Sequence, residues 1–168
     1  QTDLEKELRV LRNLERNDHI WSLFDIMPDI LAQFKKAFGA KVVVTVGSEE
    51  KGLECLKLGA DQYINYKTTD FEKTLSATGV DLILDMVGGD YFDKNLNILH
   101  PEGRLVYINA MSGNQVSLNI MKMMLKRISI TGSTLRSRNV TFKSALAAEI
   151  QQKVWPLLEN GQFKPQIF

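Results

Sequence analysis

Lys41-Val42-Val43-Val44-Thr45-Val46 is a near-continuous β-branched run. Such a run suits a strand covered on both faces rather than one lying half in water. Around it, from Ala37 onward, strand-like and helix-like stretches alternate with short turn signals. That alternation predicts an α/β fold with a mainly parallel sheet and helices on both faces. Further strands are expected at Gln62–Tyr66, Val80–Val87, Arg104–Asn109 and Ile128–Thr134. Between them, Ser48 caps a helix that carries Glu49 and Glu50 in its first turn and ends at Gly59. Thr69 and Glu72 form a capping box for a brief helix to about Ala77. A helix from Tyr91 to Leu99 stops at Pro101-Glu102-Gly103, and a methionine-rich helix covers Asn119–Arg127. The last helix runs from Val140 to Glu159, kinked or shortened by Pro156 and closed by Gly161.

Residues 1–32 follow a different pattern and are set apart from a unit at 33–168. Leu4, Leu8, Leu11 and Leu14 recur at helical spacing with charges between them, which predicts an amphipathic N-terminal helix opened by Thr2 and Glu5. His19–Met27 is apolar and aromatic and fits either a short strand or a helical turn. Pro28 suits a first helical position, with Ile30, Leu31, Phe34, Ala37 and Phe38 on one face and Gly39 as the stop.

Composition narrows the classes. Hydrophobic residues make up 44% of the 168-residue chain and charged residues 24%, the balance of a soluble globular protein. A formal net charge of +1 offers no field of one sign to gather nucleic acid or an anionic membrane. No apolar run approaches the ~20 residues of a membrane span, and the charged N-terminus does not read as a secretory leader. One cysteine, Cys55, can form neither an internal disulfide nor a multi-cysteine zinc site, so a reducing, cytoplasmic setting is expected. Cys55 lies in a helical stretch with no histidine nearby in sequence and reads as a packed thiol. His19 and His100 stand far apart in sequence, and nothing spells a metal site.

Ligands of open α/β sheets bind at the carboxyl ends of the strands, so the loops there carry the candidates. The turn after Val42–Val46 is the most informative. An NAD site usually places a carboxylate there for the ribose hydroxyls; this chain has Gly47 and Ser48, with Lys51 one helical turn on. A small residue, a hydroxyl and an ammonium suit a 2′-phosphate. They equally suit a helix cap followed by a solvated lysine, and both readings stand. Gly88-Gly89 and Gly113 can admit backbone close to a ligand, though turns alone account for them. Arg136 and Arg138 fit solvated surface arginines better than a phosphate clamp. Met121, Met123 and Met124 fit helix packing or an interface. No Gly-x-Gly-x-x-Gly spacing occurs anywhere. Ahead of Gln33–Ala40, where such a loop would seat a pyrophosphate, stand the bulky residues Ile20–Pro28.

Taken in order, several stretches resemble the cofactor domain of the zinc-independent medium-chain reductases, the quinone oxidoreductase or zeta-crystallin group. They are Lys36-Ala37-Phe38-Gly39-Ala40-Lys41-Val42, Leu58-Gly59-Ala60-Asp61, Ile64-Asn65-Tyr66-Lys67, Asp85-Met86-Val87-Gly88-Gly89, Pro101-Glu102-Gly103-Arg104-Leu105-Val106 and Leu135-Arg136-Ser137-Arg138. The resemblance implies a Rossmann-type fold that takes NADPH. Gly47, Ser48, Lys51 and Tyr66 would then surround the adenosine 2′-phosphate, with Lys51 neutralising it and Tyr66 adding a hydroxyl donor and ring contact. Gly88, Asn109, Gly113, Leu135 and Arg136 would lie nearer the nicotinamide. It also implies hydride transfer to quinones or activated alkenes without zinc, and homodimers joined through the edge strand at 128–134.

Two departures qualify what is implied. The family's separate catalytic domain is not among these residues, and neither is the usual first strand with its glycine loop. In the family order 3-2-1-4-5-6 that strand is central, so its loss would leave a gap beside Val42–Val46. His19–Leu23 is the nearby candidate to fill it. The combination fits a fragment, a rearranged product or an engineered chimera with weakened or lost NADPH binding. The competing expectation is a non-catalytic scaffold that keeps the sheet and self-associates through its leucine-striped helix.

Overall fold

A computed structural model describes His19–Leu23, Gln33 and residues 40–163. The expected helices at Leu4–Glu15 and Ile30–Phe38, with their caps at Thr2 and Gly39, lie outside the described residues, apart from Gln33, which is helical and buried. Within them runs a six-stranded sheet of β1 (His19–Leu23), β2 (Lys41–Val46), β3 (Gln62–Asn65), β4 (Val80–Asp85), β5 (Leu99–Tyr107) and β6 (Ser129–Gly132). Every described pairing is parallel, and the spatial order is β3-β2-β1-β4-β5-β6. His19–Leu23 does take the central place: Ser22 stands in register with Val44 on one side and Leu84 on the other. The gap left by the missing glycine-loop strand is thus closed by the segment nearest to it in sequence.

Why β2 is so apolar follows from what covers it. Val43 joins Ile64, Ile83 and Leu105 under α2 (Phe71–Leu75) and α3 (Tyr91–Ile98), where Phe71, Leu75, Phe92 and Leu96 are buried. Val42, Val44 and Val46 face the opposite layer with Leu82, Val106 and Cys55 of α1 (Glu49–Leu58). Adjacent residues therefore enter different cores, and each fully buried aliphatic side chain contributes about 1.5–3 kcal/mol. Cys55 is a buried thiol outside any disulfide, as its helical setting predicts. No helix among the described residues is long and apolar enough to cross a membrane.

The element boundaries shift where side chains or neighbours intervene. Asp70, not Thr69, caps α2: its carboxylate accepts from the Glu72 amide at 2.9 Å. β4 ends at Asp85, two residues short of the expected Val87, because the Asp85 side chain folds back onto the next amides. β5 starts at Leu99 rather than Arg104. Val80 pairs with Leu99 and Leu82 with Arg104, so Asp81 alone faces His100, Pro101, Glu102 and Gly103. The expected turn is present as a bulge inside the strand, with Glu102 at φ 67°. α4 (Ile120–Lys126) has Asn119 as its N-cap and Arg127 as a left-handed C-cap. The final helix divides at Val154 into α5 (Val140–Lys153) and α6 (Trp155–Glu159), with Pro156 in the first turn of the second piece.

Candidate functional site

The parallel ladder delivers the carboxyl ends of all the strands to one edge, and the chain order reverses between β1 and β4. A crevice at such a reversal is where open α/β sheets bind ligands. Two groups of side chains flank it.

The first surrounds the end of β2. Gly47 is buried and Ser48 is extended, its hydroxyl accepting from the Lys51 amide at 3.4 Å. Ser48 therefore serves as a helix cap, and Lys51 stands exposed in the opening turn of α1. The Tyr66 amide donates to the Val46 carbonyl at 3.1 Å, which fixes Tyr66 beside Gly47 just past β3. Gly47, Ser48, Lys51 and Tyr66 are thereby brought to one strand end. No carboxylate terminates β2. Glu49, the nearest in sequence, accepts from the Tyr63 hydroxyl, and the Tyr63 ring packs against α1 where Gly52 has no side chain. That bond to Glu49 raises the Tyr63 phenol above its usual range.

The second group lies past β4, β5 and β6. Gly88 and Gly89 have φ of 67° and 53°, and Gly113 has 149°. A Cβ on Gly88 would collide with the Gly113 carbonyl, so these glycines serve a backbone-to-backbone crossing. Gly88 and Gly113 form a parallel bridge, and the Gly89 amide donates to Gly113 at 3.0 Å. Both glycines line a mostly apolar cavity of about 720 Å³ with Phe92, Tyr107, Asn109 and Ile130. Leu135 and Arg136 do not join them: the lining stops at Thr134, and Leu135 stands 50% exposed beyond it.

Beneath the glycine crossing is a polar cluster that the sequence reading did not single out. Asp85 is fully buried; one oxygen accepts from the Val87 and Gly88 amides at 2.6 and 3.2 Å, the other from the Asn95 amide at 2.7 Å. Burial raises the Asp85 carboxyl, and the donated hydrogen bonds oppose that rise. The Tyr107 hydroxyl lies against Asp85 and Asn95 without a well-formed hydrogen bond, and the Asn95 carbonyl oxygen is likewise unpartnered. Burial, then the adjacent Asp85 charge, pushes the Tyr107 phenol strongly upward. The available signal was an acid closing the apolar run Leu82-Ile83-Leu84 shortly before two glycines. Among the described residues no group of three or more His, Cys, Asp or Glu could hold a metal ion.

Of the bulky stretch Ile20–Pro28 expected where a glycine loop would seat a pyrophosphate, Ile20–Leu23 belong to β1 and Phe24–Pro28 lie outside the described residues.

Comparison with known proteins agrees with this architecture. The family model described as "Zinc-binding dehydrogenase" matches residues 29–152. The "Quinone oxidoreductase 1" of Escherichia coli is 31% identical over 143 residues, covering 82% of this chain and 43% of that protein. The "Quinone oxidoreductase-like protein 2" of Bos taurus is 30% identical over 136 residues, covering 76% of this chain and 38% of that protein. The chain thus spans less than half the length of these relatives. The crystal structure of Escherichia coli quinone oxidoreductase complexed with NADPH superimposes with a TM-score of 0.80 at 24% identity. That match covers 98% of this chain and 52% of the other, and it shows a shared fold. By the family match and the two bacterial and bovine relatives, the chain belongs to the zinc-binding dehydrogenase family, as a quinone oxidoreductase-like cofactor domain of the medium-chain dehydrogenase/reductase type.

Proposed function

We propose that this chain binds NADPH along the carboxyl edge of its sheet, as the cofactor half of a reductase acting on quinones or activated alkenes. The supporting observation is the end of β2, where buried Gly47 is followed by the helix-capping Ser48 and by exposed Lys51 in the first turn of α1, the Tyr66 amide bonds to the Val46 carbonyl, and Glu49 accepts from the Tyr63 hydroxyl. This donor set suits a 2′-phosphate, whereas an unphosphorylated ribose is usually met by a carboxylate at this strand end. Lys51 would neutralise the phosphate, and Ser48 and Tyr66 would donate hydroxyls to it. Gly47, lacking a side chain, would let the adenosine approach. Gly88, Asn109 and Gly113 would form the floor for the nicotinamide half, with Leu135 and Arg136 at its outer margin. When bound, NADPH supplies the hydride. β6 ends the described sheet, and Ser129, Thr131 and Gly132 are exposed on it. An open edge of this kind suits pairing with the 128–134 edge of a second copy, giving a homodimer with one continuous sheet.

Isothermal titration of the whole chain with NADPH and NADH tests the cofactor reading. NADPH is expected to bind the more tightly, and Lys51→Ala to weaken it by about tenfold or more, about 1.4 kcal/mol, with little effect on NADH. Folded protein that gives no heat with NADPH would sink the proposal.

A further inference from the structure

Asp85 ends one of the two strands that flank the reversal in sheet order, and its side chain is buried completely. A carboxylate taken out of water there has to be met by hydrogen bonds. They are supplied by a particular piece of backbone. The turn at Val87-Gly88-Gly89 leaves the ladder with two successive positive φ values, and the Val87 and Gly88 amides point inward to the carboxylate. That turn in turn holds a second segment. Ile108 donates to the Asp85 carbonyl at 2.8 Å, Met111 to Met86 at 2.9 Å and Ser112 to Val87 at 2.8 Å. Gly89 closes the set by donating to Gly113 at 3.0 Å. Segment 108–113 is therefore laid along 85–89 for its whole length, and Gly88, Asn109 and Gly113 reach the cavity lining from this double layer.

We infer that Asp85 is a positioning residue for the nicotinamide half of the site: its carboxylate sets the Val87–Gly88 turn, and that turn sets the height of segment 108–113 at the cavity floor. This rests on the NADPH reading above. Asp85 does not itself line the cavity, although Tyr107, which does, lies against it; its hydrogen bonds to the Val87 and Gly88 amides act on the floor through two backbone layers. Nothing in its bonding reaches Ser48, Lys51 or Tyr66, so the adenosine end of the site is independent of it.

That independence gives the test. NADPH and adenosine 2′,5′-bisphosphate, which has the adenosine 2′-phosphate but no nicotinamide, are titrated into the whole chain and its variants. Asp85→Ala, which leaves the two amides without an acceptor, is expected to weaken NADPH by about tenfold or more and to leave the bisphosphate within about twofold. Asp85→Asn keeps a carbonyl oxygen for both amides, and Asn95 can turn its unpartnered oxygen to the new amide. It should restore most of the NADPH affinity. Equal losses for both ligands, or no loss for either, overturns the inference and leaves the NADPH reading intact. Should Asp85→Ala not fold, Asp85→Ser takes its place; if neither folds while Asp85→Asn behaves as wild type, the residue acts on stability alone and the inference fails. A wild-type chain that binds neither ligand removes the NADPH reading, and this inference with it.

Discussion

Single side chains decide where several elements begin and end, and Asp70 shows how. Its carboxylate caps α2 and also accepts from the Lys94 ammonium at 3.0 Å. The Lys94 bond comes first among the causes that hold the Asp70 carboxyl below its ordinary value. A carboxyl lowered on folding contributes stability that is present above its unfolded value, near ~3.9, and is lost as pH falls through the folded one. Asp70→Asn keeps a competent cap and removes the charge. With the pair about one-third exposed, the variant is expected to be less stable than wild type at pH 7 by no more than about 1 kcal/mol. The difference should begin to shrink as pH falls below ~4 and vanish only below the lowered folded value, which urea unfolding at several pH values would measure. Ser48 and Asn119 were legible as helix boundaries because capping is local chemistry. Asp70 was not, since Thr69-x-x-Glu72 offers a rival pattern one residue earlier. Asp85 was less legible still: an acid at a strand end gains meaning only once the amides that fold back upon it are known.

Elements are joined here by long cations as much as by apolar faces. The Lys126 ammonium, from α4, donates to the carbonyls of Leu96, Asn97 and Leu99 at 2.9, 2.8 and 2.7 Å, where α3 ends. Lys122 adds bonds to Asp93 and Asn97 of α3 at 2.6 and 2.7 Å. Desolvation, and after it the neighbouring Lys122 charge, pulls the Lys126 amine downward. The methionines explain why the cations are needed. Met123 packs against the core, while Met121 and Met124 are each 60% exposed. Lys126→Met should therefore cost about 1–3 kcal/mol, because three carbonyls at a helix end lose their donor. Hydrogen exchange at the amides of Met123–Ile128 should accelerate more than exchange in β4, and equal protection in the variant would contradict the clamp. Periodicity made α4 legible in outline. Its attachment was not, because Lys126 and its acceptors lie some thirty positions apart.

At the scale of the whole molecule, the α/β class and five of the six described strands were legible from apolar runs and turn signals. The sixth, His19–Leu23, has no β-branched run to announce it and reads as strand only because both its neighbours need a partner. The start of β5 was misjudged for a related reason, since a bulge is defined against the opposite strand. The family match begins at residue 29, beyond this central strand. A chain cut at that point would hold two half-sheets whose facing rims each lack hydrogen-bond partners, their edge strands two strand spacings, about 10 Å, apart. Such a slot is a receptor for an extended peptide. A synthetic peptide of residues 17–25 should bind the shortened protein, restoring cooperative unfolding and suppressing its aggregation, whereas a scrambled peptide should do neither.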